Sequence, residues 1–164
     1  MFNKVLISMA KLNTFDITLT DTDKKILNAM LDNSRLSLRE IAKKIGVSVA
    51  TVMNHVKILE GSGIIKKYSA HIDYEKAGYG VEVLIEVRIL KGKLIEMEKK
   101  IATHPNVFAV YDTTGSFDAV ILARFKSTRN MDNFLKKIQS YEFVERTETK
   151  LVLKTIKEGI IAIE

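Results

Sequence analysis

The sequence predicts an α+β chain of two domains, a basic three-helix domain followed by a βαββαβ sandwich. Three observations carry that prediction. Apolar residues recur at three and four up to about residue 60, and from Val81 the period changes to two. Gly46 and Ser48 interrupt the helical pattern where one helix stops and the next begins. Positive charge is also uneven: residues 1–70 hold 11 Lys/Arg against 6 Asp/Glu, and the remainder is nearly neutral.

The whole chain has 164 residues and a net charge of +6, with 46% hydrophobic and 28% charged residues, the balance of a globular protein. It contains no cysteine, which excludes disulfides, thiolate metal sites and cysteine nucleophiles. No apolar run approaches the roughly 20 residues of a membrane helix, and the opening stretch is too short and weakly apolar for a signal peptide. A cytoplasmic protein with no membrane partner is expected.

Residues 1–18 fit no periodic pattern and are read as a flexible leader, with the start at Met1 or Met9 left open. Thr20 and Asp23 have the spacing of a capping box, and Ile26, Leu27, Met30 and Leu31 form the inner face of a first helix. Leu38, Ile41, Ala42 and Ile45 do the same for a second helix, ended by Gly46. Ser48 caps a third, with Val52, Val56 and Leu59 inward. Residues 64–72 read as a β-ribbon that completes a domain over 19–72, and residues 73–80 as a linker.

The second domain is expected over 81–158, with a short tail at 159–164. Its first strand alternates Val83, Ile85, Val87 and Ile89 against Leu84, Glu86 and Arg88. A helix with Leu94, Met97 and Ile101 on one side stops before Pro105. Strands over 107–111 and 118–125 flank a Gly115 turn. A helix with Met131, Phe134, Leu135 and Ile138 and a last strand over 145–154 complete a ferredoxin-like order.

Enzyme signals are weak, and no enzymatic activity, cofactor or metal is expected. His55, His71 and His104 fall in separate elements without metal-ligand spacing, and no nucleophile elbow or phosphate loop is present. The run from Leu38 to Val52 is more specific. A small residue at the crossing, a glycine turn four residues later and a cap on a projecting helix are the needs of a helix-turn-helix, whose second helix enters the DNA major groove. Ser48, Val49, Ala50, Thr51, Asn54 and His55 are the candidate groove-facing residues. Asn suits an adenine edge, and Ala, Val and the Thr methyl suit a thymine methyl. Arg39, Lys43, Lys44, Lys57, Lys66 and Lys67 are candidate phosphate contacts. A plain three-helix bundle with a solvated basic face is the ordinary alternative.

The same residues resemble the leucine-responsive regulator/asparagine-regulator (Lrp/AsnC) family of transcription factors. The likeness runs from Leu19 through Asp23-Lys24-Lys25-Ile26-Leu27, Ile41-Ala42, Gly46-Val47-Ser48, Leu59-Glu60 and Gly63-Ile64-Ile65. It continues in Tyr111-Asp112-Thr113-Thr114-Gly115-Ser116-Phe117-Asp118, in Val144-Glu145-Arg146-Thr147-Glu148-Thr149 and in Val152-Leu153-Lys154, ending near Glu158. The resemblance implies a winged helix-turn-helix followed by an amino-acid-binding and oligomerisation domain. Dimers assembling to octamers, a pseudo-palindromic site on double-stranded DNA and a small amino-acid effector are implied with it. The implied effector pocket lies between subunits, with Thr114, Gly115 and Asp118 from one and Thr147 and Thr149 from another. Gly115 would let backbone N–H groups approach an α-carboxylate, and Asp118 would pair with an α-ammonium. A tight hairpin with Asp118 capping the turn explains the same residues without a ligand.

Departures from the family pattern bear on specificity. Family members often carry proline early in the recognition helix and two arginines in its middle, where this chain has Val49, Thr51, Asn54 and His55. Thr22 replaces an apolar residue, and Phe117 stands where tyrosine is common. A nucleoid-organising protein of low sequence specificity is the rival reading, and a relative of the haem-pathway decarboxylases a more distant one.

Overall fold

The computed structural model describes residues 18–90 and 93–164, without the side chains of Leu94, Met97 and Glu98. The expected leader and the Leu94 and Met97 part of the expected helix face therefore lie outside the described residues. The chain divides into two units, 1–69 with 159–164, and 70–158.

In the first unit, α1 (Asp21–Asp32), α2 (Leu38–Ile45) and α3 (Val49–Gly61) form a three-helix domain. The first and third starts are capped as the sequence predicts, and the second carries a cap that was not expected. The Thr20 hydroxyl accepts from the Asp23 N–H, while the Asp23 carboxylate accepts from the Thr20 N–H, which satisfies two otherwise orphaned donors. Ser37 and Glu40 repeat this box on α2, and the Ser48 hydroxyl accepts from the Thr51 N–H at 3.0 Å on α3. Gly46 ends α2 at φ 75°, the left-handed region where a side chain would be strained. Ile26, Ile41, Val52 and Leu59 meet in a core from which water is excluded.

The tail belongs to this same unit. The Asn28 side-chain amide donates to the Ile163 carbonyl at 2.9 Å, and its oxygen accepts from the Ile163 N–H at 2.8 Å. Ile163 packs against the helical core.

The β-ribbon expected at 64–72 does not form, since no residue there lies in a strand. A strand needs a paired neighbour to satisfy its backbone, and these residues find none in their unit. The Ile65 N–H instead donates back to the Leu59 carbonyl at the end of α3.

In the second unit, β1 (Val81–Ile89), α4 (Leu94–Ala102), β2 (Val107–Asp112), β3 (Ala119–Phe125), α5 (Thr128–Gln139) and β4 (Val144–Leu151) follow in the expected order. The strands are antiparallel in the order β2-β3-β1-β4, the ferredoxin-like arrangement. Val83, Ile85, Val87, Ile121 and Phe125 fill the face that packs with Ile101, Phe134 and Ile138. The opposite face carries half-buried Leu84, Val120 and Leu122 beside Glu86 and Arg124. Strand β4 ends three residues before the expected Lys154. Leu151 already pairs with Val83 near the start of β1, and only the Val152 N–H continues, to the Glu82 carbonyl.

Candidate nucleic-acid interface and effector turn

Helix α3 buries Val52, Val56 and Leu59 and leaves Val49, Ala50, Met53, Asn54, Lys57 and Ile58 exposed. Asn54 lies away from the buried stripe, about half a turn round the helix, and is exposed. Thr51 is half-buried, its hydroxyl 2.8 Å from that of Ser48. Arg39, Lys43, Lys66 and Lys67 are also exposed, while Lys44 forms an ion pair with Asp32 at 2.8 Å.

His55 stands apart from its neighbours. Its Nδ1 lies 2.7 Å from an Asp23 carboxylate oxygen at the start of α1, so this side of the ring faces the fold. Asp23 is nearly buried, and burial alone would raise its pKa. Hydrogen bonds from the Thr20 hydroxyl, His55 and the Thr20 N–H, together with the His55 charge, outweigh that and hold it below the ordinary carboxylate value. Asp23 therefore closes the cap of α1 and ties α3 to it. No local signal reports this contact, because 32 positions separate the two residues. Met53, with half of its surface exposed, belongs to the outward face as well, and helical spacing beside Asn54 was the available clue.

At the turn between β2 and β3, Gly115 adopts φ 123°, and Thr114, Gly115 and Ser116 are exposed. A Cβ at Gly115 would meet no heavy atom within 4 Å, so backbone conformation alone demands glycine there. Asp118 is partly engaged. Its Oδ2 accepts from the Ile89 N–H at 2.8 Å, where the β1–β4 register shifts. Its other carboxylate oxygen has no partner among the described residues. Thr147 receives a hydrogen bond from the Gln139 amide at 3.0 Å, and Thr149 is exposed. Both threonines pair across from Val87 and Ile85, on the helix-covered face of the sheet.

A second polar centre was not anticipated. The Arg124 side chain is nine-tenths buried, its Nε 2.8 Å from Glu82 and its Nη2 2.7 Å from Glu158. The rings of Tyr74 and Phe108 lie 4.6 and 4.3 Å from the guanidinium. Burial opposes its charge, but the two carboxylates overcome that and raise its pKa. A lone arginine within a strand gives no warning of partners 42 and 34 positions away.

A three-helix domain with a capped, outward-facing α3, joined to a ferredoxin-like sandwich, defines the class of ligand-responsive DNA-binding regulators. Residues 19–66 match the winged helix-turn-helix DNA-binding domain, and residues 82–161 the Lrp/AsnC ligand binding domain. An HTH-type transcriptional regulator of Pyrococcus furiosus, itself uncharacterised, is 41% identical over 84% of this chain and 93% of its own. The regulator FL11 of Pyrococcus horikoshii is 39% identical over 87% of this chain and 94% of its own. Among solved structures, E. coli AsnC superposes with a TM-score of 0.83 at 26% identity, covering 88% of this chain and 99% of that one. A transcriptional regulator from Neisseria meningitidis, solved in complex with L-Met, gives 0.81 at 27% identity, covering 90% and 97%. The chain belongs to the Lrp/AsnC family of transcription regulators.

Proposed function

We propose that the protein is a cytoplasmic transcription regulator, without enzymatic activity, whose DNA affinity or assembly is set by a small amino acid. The observation that carries this reading is the joining of an outward-facing recognition helix to a ligand-binding sandwich in one chain. Asn54, Val49, Ala50 and Thr51 read base edges, while Arg39, Lys43, Lys57, Lys66 and Lys67 hold phosphates. Half-buried Leu84, Val120 and Leu122 cover the sheet face away from the helices, which favours pairing with a second copy there. Two copies present two recognition helices to a pseudo-palindromic site.

The effector binds at the Thr114–Asp118 turn of one subunit, with Thr147 and Thr149 of another completing the pocket. The free Asp118 oxygen suits the ammonium, and the exposed Gly115 backbone suits the carboxylate. The structure of the Neisseria relative with L-Met supports an amino acid as the ligand class. The test is a thermal-shift screen against the amino acids, because a ligand selective for the folded state raises its melting temperature. DNA affinity is then measured with and without the hit, in wild type and in Asp118→Ala. A hit that changes DNA affinity in wild type and not in Asp118→Ala is expected. An equal response in both places the pocket elsewhere.

A further inference from the structure

The second unit holds a cleft of about 820 Å³, separate from the effector turn in its lining residues, with Arg124 in its wall. Tyr74, Tyr79 and Leu153 supply apolar surface, and Lys154 a second cation. A buried guanidinium needs anionic or hydrogen-bonding partners on its nitrogens. The two it has differ in kind. Glu82 is part of β1, three-quarters buried and fixed by strand pairing. Glu158 is half-exposed and lies seven residues beyond the end of β4, in a segment without helix or strand.

We propose that this cleft is a binding site for a small monocarboxylate with an apolar body, and that Glu158 is an internal, displaceable stand-in for its carboxylate. Exchange of one carboxylate for another keeps the guanidinium paired and conserves the charge of the site. The ligand's apolar body gains contact with Tyr74 and Tyr79 in the lining, which a carboxylate alone does not supply. Asp73 and Glu75 also line the cleft and disfavour phosphates and dicarboxylates, so the second negative charge of such ligands is a penalty. A tethered carboxylate competes at an effective concentration in the millimolar range, so removing it raises the apparent affinity of a free one.

Benzoate is the probe, with benzamide as its neutral counterpart, both titrated calorimetrically into the full-length protein. Weak benzoate binding to wild type and about tenfold tighter binding to Glu158→Gln are expected, with no binding of benzamide. Arg124→Lys, which keeps the charge and loses the planar fork, should weaken benzoate in the Glu158→Gln background. Asp118→Ala should leave it unchanged, which separates this site from the proposed effector pocket. The proposal is overturned by equal benzoate affinity in wild type and Glu158→Gln, or by absence of binding to Glu158→Gln. Equal binding of benzamide, or loss of benzoate in Asp118→Ala, overturns it too.

Discussion

Asn54 and His55 are adjacent on α3, yet one side chain is exposed and the other meets Asp23, and their alanine variants test the base-reading role proposed for Asn54 against a structural one for His55. His55 is about a quarter exposed and its Nδ1 meets Asp23 at 2.7 Å. Removing one partner of a hydrogen bond to a charged group costs about 1.5–3 kcal/mol. His55→Ala should therefore destabilise the helical domain by about 2 kcal/mol, measured as a lower urea midpoint at constant slope. Asn54 is exposed, so Asn54→Ala should shift stability by less than about 0.5 kcal/mol. On DNA the order reverses. Asn54→Ala should lose about 1–3 kcal/mol on the cognate site and nearly nothing on random sequence. His55→Ala, assayed well below its melting temperature, should weaken both alike. A pH series adds a check through Asp23. Its folded pKa is depressed, so its contribution is present above the ordinary carboxylate value and fades as pH falls through the lower, folded one. The stability gap between wild type and Asp23→Asn should accordingly narrow in acid. If His55→Ala kept wild-type stability and lost discrimination at one base pair, the clasp would be incidental and His55 a base reader.

Two further outcomes follow from the second domain. Gly115→Val should destabilise by about 1–3 kcal/mol from backbone strain, since its side chain would meet open space; equal urea midpoints for Gly115→Val and wild type would refute the strain. Light scattering at micromolar concentration should give a dimer or a multiple of it, and an 18.5 kDa monomer would remove the role assigned to Leu84, Val120 and Leu122.

Short-range chemistry made most of the fold legible. Thr20 and Asp23, or Ser48 and Thr51, are within one turn, and period-two alternation placed β1 on its correct face. The sequence misled where a partner was required. The 64–72 segment has strand-like residues but no ladder in its own unit, and β4 stops where β1 stops offering pairing. The candidate groove face was legible from the α3 stripe, while the orientation of His55 was not. An imidazole at a helix flank can turn outward to solvent or inward to a carboxylate, and only the position of Asp23 decides. Thr147 and Asp118 show the same limit, since their hydrogen bonds to Gln139 and Ile89 depend on how strands and helices stack.

Asn54 and His55 leave the centre of the proposed recognition helix without a lysine or arginine, and that predicts how binding responds to salt. Asn54 is neutral and His55 is engaged by Asp23, so neither central position is placed as a fixed phosphate-bound cation. Lys44 is already paired with Asp32. Of the proposed phosphate contacts, Arg39, Lys43, Lys57, Lys66 and Lys67 are exposed and have no ion pair among the described residues. Each phosphate neutralised contributes about 0.9 to the slope of log affinity against log salt, so five set a ceiling of about 4.5 per protomer. Lys57→Ala should lower the measured slope by about one per protomer and weaken cognate and random DNA equally. Base discrimination at high salt should persist in this variant, because the residues proposed to read bases are Asn54 and its apolar neighbours. A slope well above the ceiling, or a Lys57→Ala protein that changes its base preference, would mean that the central helix positions carry charge to the DNA after all.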